Sequence, residues 1–82
     1  MGLETRRLRL LFSEQLIKEP IIFQVSNLFD VIPNILKADI HEEGWVLLDL
    51  SGEPRELEKA LLWLFYREVK IELMLEIEIE DI

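Results

Sequence analysis

The chain has no cysteine, which excludes a disulfide framework, an iron–sulfur cluster and a Cys-based zinc site. Basic residues are scarce. Nine Lys and Arg stand against seventeen Asp and Glu, a formal net charge of −8 with the single histidine neutral. Phosphate contacts need clustered Lys and Arg, so nucleic acid is not an expected partner. Nowhere do apolar residues run to the ~18 needed to span a bilayer. Arg6, Arg7 and Arg9 near the N-terminus are followed by neither a long apolar run nor a small-residue cleavage site. Membrane insertion and secretion are therefore not expected, and a cytoplasmic location is.

Catalytic chemistry is equally thin. His41 has no nucleophile at a recognisable spacing, and one histidine needs carboxylate partners to hold a metal. Glu42 and Glu43 beside it read as a solvated turn. Glu76, Glu78, Glu80 and Asp81 read as a solvated or salt-bridged strand end, because Mg²⁺ and Ca²⁺ sites want ligands converging from a curved loop. With no paired-acid or nucleophile–base constellation, no catalytic residue, metal or cofactor is assigned and the chain is not expected to be an enzyme.

What is present is apolar and periodic. Half of the 82 residues are apolar and the mean hydropathy is +0.17, which argues against disorder. A domain of this length buries roughly 60–65% of its unfolded surface, enough for one modest core. Residues 1–82 are read as one domain, with 74–82 a strand extension or an acidic tail. Glu4–Phe12 alternates, with Leu8, Leu10 and Phe12 on one face and Arg7, Arg9 and Leu11 on the other, the mark of a strand. Pro20 opens a helix whose stripe is Ile21, Ile22, Val25, Leu28 and Phe29, and Pro33 forbids its continuation. Asn34–His41 and Trp45–Ser51 form a hairpin turning at Gly44, where positive φ is tolerated. In its first strand Leu36, Ala38 and Ile40 share the core face. In its second, Val46, Leu48 and Leu50 face the core while Trp45, Leu47 and Asp49 face outward. Pro54 starts a second helix with a stripe of Leu57, Ala60, Leu61, Leu64 and Phe65, and Val69 to about Ile79 is a long last strand. The order β-α-β-β-α-β predicts an α+β, ferredoxin-like fold: a four-stranded antiparallel sheet with two helices on one face. In that order the last strand lies beside the first, and Arg7 and Arg9 face Glu72 and Glu76.

The run Val31-Ile32-Pro33-Asn34-Ile35-Leu36-Lys37-Ala38 resembles the NIL domain, named for the Asn-Ile-Leu tripeptide at 34–36. Gly44-Trp45-Val46, Leu50-Ser51-Gly52, Leu57 with Ala60, Trp63-Leu64 and Val69-Lys70-Ile71-Glu72 follow in the family's order and spacing over residues 6–73. The resemblance implies an ACT-like fold and a regulatory role. Such domains form the C-terminal part of bacterial methionine-importer ATPases, where paired copies bind methionine near their interface and shut transport down. Others precede a two-cluster ferredoxin module. Here there is no G-x-x-x-x-G-K-[ST] phosphate loop and no cysteine, so neither arrangement is reproduced. The expectation is a bacterial domain standing alone that senses a small molecule, methionine or a related amino acid, at a homodimer interface. The alternative is a ligand-free adaptor for a transporter or iron–sulfur partner.

Asn34 is the leading candidate for ligand contact, because the resemblance places the Asn of the tripeptide there and an amide both donates and accepts. Its other reading is a turn cap after Pro33. Ile35 is its candidate neighbour in a pocket lining, while Leu36 is read as core. On the second helix, Leu62, Trp63 and Tyr66 lie off the core stripe and are candidate partner contacts, Trp63 alternatively packing on the first helix. The Leu75–Ile79 end, or the second strand at the opposite edge, is expected to join two copies; a frayed terminus is the other reading.

Overall fold

Leu8 and Leu10 alternate with Arg7 and Arg9 along β1 (Glu4–Leu11), and that pattern places a strand between a dry face and a wet one. The computed structural model describes residues 2–16, 19–40 and 44–74. After β1 come α1 (Ile21–Leu28), β2 (Val31–Asp39), β3 (Trp45–Gly52), α2 (Pro54–Tyr66) and β4 (Lys70–Leu73). All pairings are antiparallel and the sheet order is β2-β3-β1-β4. The fold is therefore ferredoxin-like α+β, with β1 and β3 central and β2 and β4 at the edges.

The core lies between the helices and one sheet face. Leu8 and Leu10 from β1, Val46, Leu48 and Leu50 from β3, Ile21 and Val25 from α1, and Leu57, Ala60 and Leu64 from α2 form one buried cluster with Val31 and Val69. A fully buried leucine contributes about 1.5–3 kcal/mol relative to exposure, so this cluster dominates stability. Among the described residues no polar or charged residue is buried.

The helices differ in what holds them. α1 has eight residues, no side-chain cap, no acidic residue in its first turn and no basic residue in its last. A helix that short is marginal alone, so the burial of Ile21 and Val25 sustains it. α2 is anchored locally. Pro54 stands at its first position and Glu56 puts a negative charge in its first turn. Its end is a Schellman motif: the Glu68 N–H donates to the Phe65 carbonyl at 3.0 Å and the Val69 N–H to the Leu64 carbonyl at 3.1 Å. That motif needs a left-handed residue, and Glu68 supplies it at φ 65° although glycine is the usual occupant.

Several details depart from the sequence expectations. Pro20 is the N-cap of α1, one residue before the helix rather than its first residue. β2 begins at Val31, three residues before Asn34, and carries Pro33 inside it. An edge strand tolerates this because the missing N–H faces no neighbour. A bulge between Ile35 and Lys37 interrupts the alternation, so Ile35 pairs with Leu48 on the helix-side face while Lys37 pairs with Leu47 on the open one. Leu36 is 40% exposed and is not core. Leu47 is on the open face as expected yet is 2% exposed, between its register partners Arg9 and Lys37. Long aliphatic stems of that kind cover apolar surface. Phe65 and Leu28, read as core, are exposed. The Gly44 carbonyl accepts the Phe12 N–H at 2.7 Å, and the expected turn before it runs through residues 41–43, outside the described residues. The described part of the last strand is Lys70–Leu73; the expected continuation through Leu75–Ile79, the acidic tail, His41, Glu42 and Glu43 lie outside the described residues.

Candidate functional site

The face of the sheet opposite the helices is built in rows. Residues paired across antiparallel strands share a face, so register assigns each side chain. One row runs Asn34, Asp49, Arg7, and the next Lys37, Leu47, Arg9, Glu72. Arg7 grips Asp49 with two parallel bonds, Nε to Oδ1 at 2.6 Å and Nη2 to Oδ2 at 2.8 Å. Bidentate guanidinium–carboxylate pairs combine charge with fixed geometry. Arg9 donates from Nε to Glu72 Oε1 at 2.7 Å, and the Thr5 and Ser51 hydroxyls lie 2.8 Å apart at the end of the same strands. The expected pairing of Arg9 with Glu72 is present. Arg7 reaches Asp49 on β3, because β3 is its neighbour on the other side.

Asn34 is exposed on β2, directly beside Asp49 in this row. An amide, a carboxylate and a guanidinium then follow one another across three strands. Each carboxylate oxygen has a further lone pair after Arg7 is satisfied. The row therefore offers an acceptor for an ammonium group and, at Asn34, both a donor and an acceptor. Ile35, the next residue, points to the other face and is 55% exposed. The structure thus puts the two candidate ligand residues on opposite sides of one edge strand.

A second concavity was missed from sequence. An apolar cleft of about 190 Å³ opens on the helix side, lined by Phe12, Leu16, Pro20, Ile22, Phe23 and Ile40 among others. Neither Asn34 nor Ile35 lines it. The available signal was the persistence of Phe12, Leu16 and Ile40 in connecting segments, where a purely solvated loop would be polar.

The α2 candidates separate. Trp63 turns toward the end of α1, its ring 6.3 Å from Phe29 in an edge arrangement with Arg67 5.1 Å over its face. Arg67 also donates to Glu19 at 2.5 Å, joining the segment before α1 to the end of α2. Leu62 and Tyr66 remain on the free side, 56% and 77% exposed, and Phe65 joins them at 67%. The helix start is tied from the other direction. Glu56 accepts the Asp30 N–H at 3.0 Å and the Lys59 ammonium at 3.0 Å. That backbone hydrogen bond, with Lys59 assisting, holds the Glu56 carboxyl below its usual range.

Among the described residues no group of three or more His, Cys, Asp or Glu could hold a metal ion, and no helix is long and apolar enough to cross a membrane.

With that geometry in view, the comparisons decide the family. The NIL domain family model matches residues 6–73. The chain belongs to the NIL domain family. Among solved structures, it is similar to the crystal structure of the C-terminal domain of an ABC transporter ATP-binding protein from Enterococcus faecalis. That likeness has a TM-score of 0.74 and 24% identity, over 87% of this chain and 84% of the other. At that identity the likeness carries the fold. No curated protein matches. In this NIL domain the tripeptide spans an edge strand and its bulge: Asn34 on the open face, Ile35 on the helix face, and Leu36 in the bulge between Ile35 and Lys37.

Proposed function

We propose that this NIL domain is a non-enzymatic regulatory module of a transport system, acting in the cytoplasm, and that it senses methionine or a related amino acid near Asn34 where two copies meet. The observation that carries the reading is the row Asn34–Asp49–Arg7, polar groups of both signs set beside an unpaired strand edge. The family supports a regulatory role, and the similarity to the C-terminal domain of a transporter ATP-binding protein supports the kind of system regulated. The edge itself supports pairing. β2 is nine residues long, has no neighbour on its outer side among the described residues, and exposes Ile32 and Ile35. Open, apolar edges recruit another chain. Regulation then follows if the ligand binds one arrangement of the two copies more tightly than another.

Calorimetry with L-methionine and a panel of other amino acids tests this reading. Binding by the wild type that is lost in Asn34→Ala is the expected result. No heat from any amino acid at millimolar concentration would overturn the sensing function.

A second reading, an adaptor that binds a transporter or iron–sulfur partner without a ligand, is favoured by the exposed side of α2, where Leu62 and Tyr66 stand clear of the core.

A further inference from the structure

The face of the sheet that the helices leave open carries an ordered pattern of charge. Register divides it into levels that run across β2, β3, β1 and β4. One level reads Asp39, Trp45, Leu11, Lys70; the next Lys37, Leu47, Arg9, Glu72; the third Asn34, Asp49, Arg7. Met74 completes the third level, its N–H donating to the Arg7 carbonyl at 2.9 Å. In the first two levels the edge strands carry opposite signs, Asp39 against Lys70 and then Lys37 against Glu72. In the third the opposition lies between the central strands, Asp49 against Arg7.

Two further features set this face apart from a merely solvated one. Its middle is apolar: Trp45 and Leu11 are half-buried neighbours, and Leu47 is buried beside them. An antiparallel sheet with one wet face normally presents polar residues there. Its charge is also close to balanced, with Arg7, Arg9, Lys37 and Lys70 set against Asp39, Asp49 and Glu72, in a chain of net charge −8. The negative excess therefore sits on other surfaces and opposes docking here least.

We infer that this open face docks on the same face of a second copy, about a two-fold axis that runs along the strands between β3 and β1. A half turn about that axis lays β2 over the partner's β4 and β3 over the partner's β1. Asp39 then lies over the partner's Lys70, Lys37 over the partner's Glu72, Asp49 over the partner's Arg7, and Trp45 over the partner's Leu11. Among the described charged residues of the face only Arg9 lacks an opposite charge; it meets the partner's Leu47. An axis across the strands through the middle of the face does the reverse. It stacks β1 on itself and sets Arg7 against the partner's Arg9, a like-charge contact. The pairs within one copy survive docking, because a carboxylate that holds one guanidinium has acceptor sites left for a second cation. Twisted sheets stack face to face about 10 Å apart with strands within about 30° of alignment, which this axis allows.

The inference rests on the reading that two copies meet near Asn34, and it names the surface. Asn34 faces the partner's Met74, so the second copy contributes to the site. A strand added at the β2 edge would extend the sheet in its own plane and leave this face bare.

Sedimentation equilibrium of the full chain tests it by reversing and then exchanging two charges. The wild type should dimerise. Asp39→Lys should raise the dimer Kd about tenfold or more, although it lowers the net charge and with it the general repulsion between chains. Lys70→Glu should do the same from the edge of the sheet opposite β2. The double variant Asp39→Lys, Lys70→Glu exchanges the two signs and should restore dimerisation. Both side chains are exposed, so circular dichroism should be unchanged in every variant. A dimer that either reversal leaves intact, or that the exchange does not restore, would overturn the inference while leaving paired copies in place. Weakening by Asp39→Lys alone would move the contact to the β2 edge. A wild type that stays monomeric at millimolar concentration would overturn both the inference and the pairing on which it rests. Methionine calorimetry decides sensing on its own data.

Discussion

β2 and β3 are partners in one hairpin, similar in apolar content, and opposite in what they bury. Ile35 and Leu48 face each other across the ladder on the same side of the sheet, yet Ile35 is 55% exposed and Leu48 1%. β3 has a strand on each side and both helices above it, and it buries Val46, Leu47, Leu48, Leu50 and Gly52. β2 has a strand on one side only and buries Val31 alone. Burial here is set by position in the sheet rather than by side-chain type. The central strands hold the fold together, and the edge strand leaves Ile32 and Ile35 exposed.

The largest expected effect breaks this comparison directly. Leu48→Ala should lower stability by about 2–5 kcal/mol in urea denaturation, through lost transfer energy and the cavity left behind. Gly52→Ala should cost roughly 1–3 kcal/mol. An added Cβ would sit 3.0 Å from the Asp30 carbonyl oxygen and 3.0 Å from Val31 Cγ1, and the former is backbone that gives little. A smaller change has the opposite sign. Glu68→Gly should stabilise by about 0.5–1 kcal/mol, because glycine occupies the left-handed position at the end of α2 without strain. Ile35→Ala, at the register partner of Leu48, should change stability by less than about 0.5 kcal/mol, the ordinary range for a surface substitution. A large loss there would mean that the edge is part of the core after all.

Glu56 adds a pH dependence. Its folded carboxyl titrates below its unfolded value, so the unfolded chain binds the proton more readily. The stability it contributes is present above the unfolded pKa and is lost as pH falls through the folded one. Glu56→Gln should flatten that acid limb in denaturation series run from neutral pH downward, with little change in its shape near pH 7.

Much of this architecture was legible in the residues. The alternations of β1 and β3 and the Leu57–Ala60–Leu64 spacing of α2 gave the fold, since each of these elements buries one continuous face. What failed has identifiable causes. The bulge after Ile35 depends on the register of two strands and leaves no mark in one strand's alternation. Phe65 has helical core spacing, yet it lies at the flank of the stripe, where exposure depends on how far β4 covers the helix. Arg7 also bonds Asp49, a partner that only the sheet order reveals, while Glu76 lies outside the described residues. At the candidate site, Asn34 was found through the family pattern, but its placement beside Asp49, and the separation of Ile35 onto the opposite face, required the pairing.

The division of labour between centre and edge is tested most directly by thermal unfolding of the wild type and Asn34→Ala, each with and without millimolar L-methionine. The account predicts matching unliganded midpoints, since Asn34 is exposed, and a ligand-induced rise in the wild type alone, because a ligand that binds only the folded state stabilises it by mass action. An equal rise in both proteins, or an unliganded midpoint in Asn34→Ala depressed like that of a core variant, would contradict it.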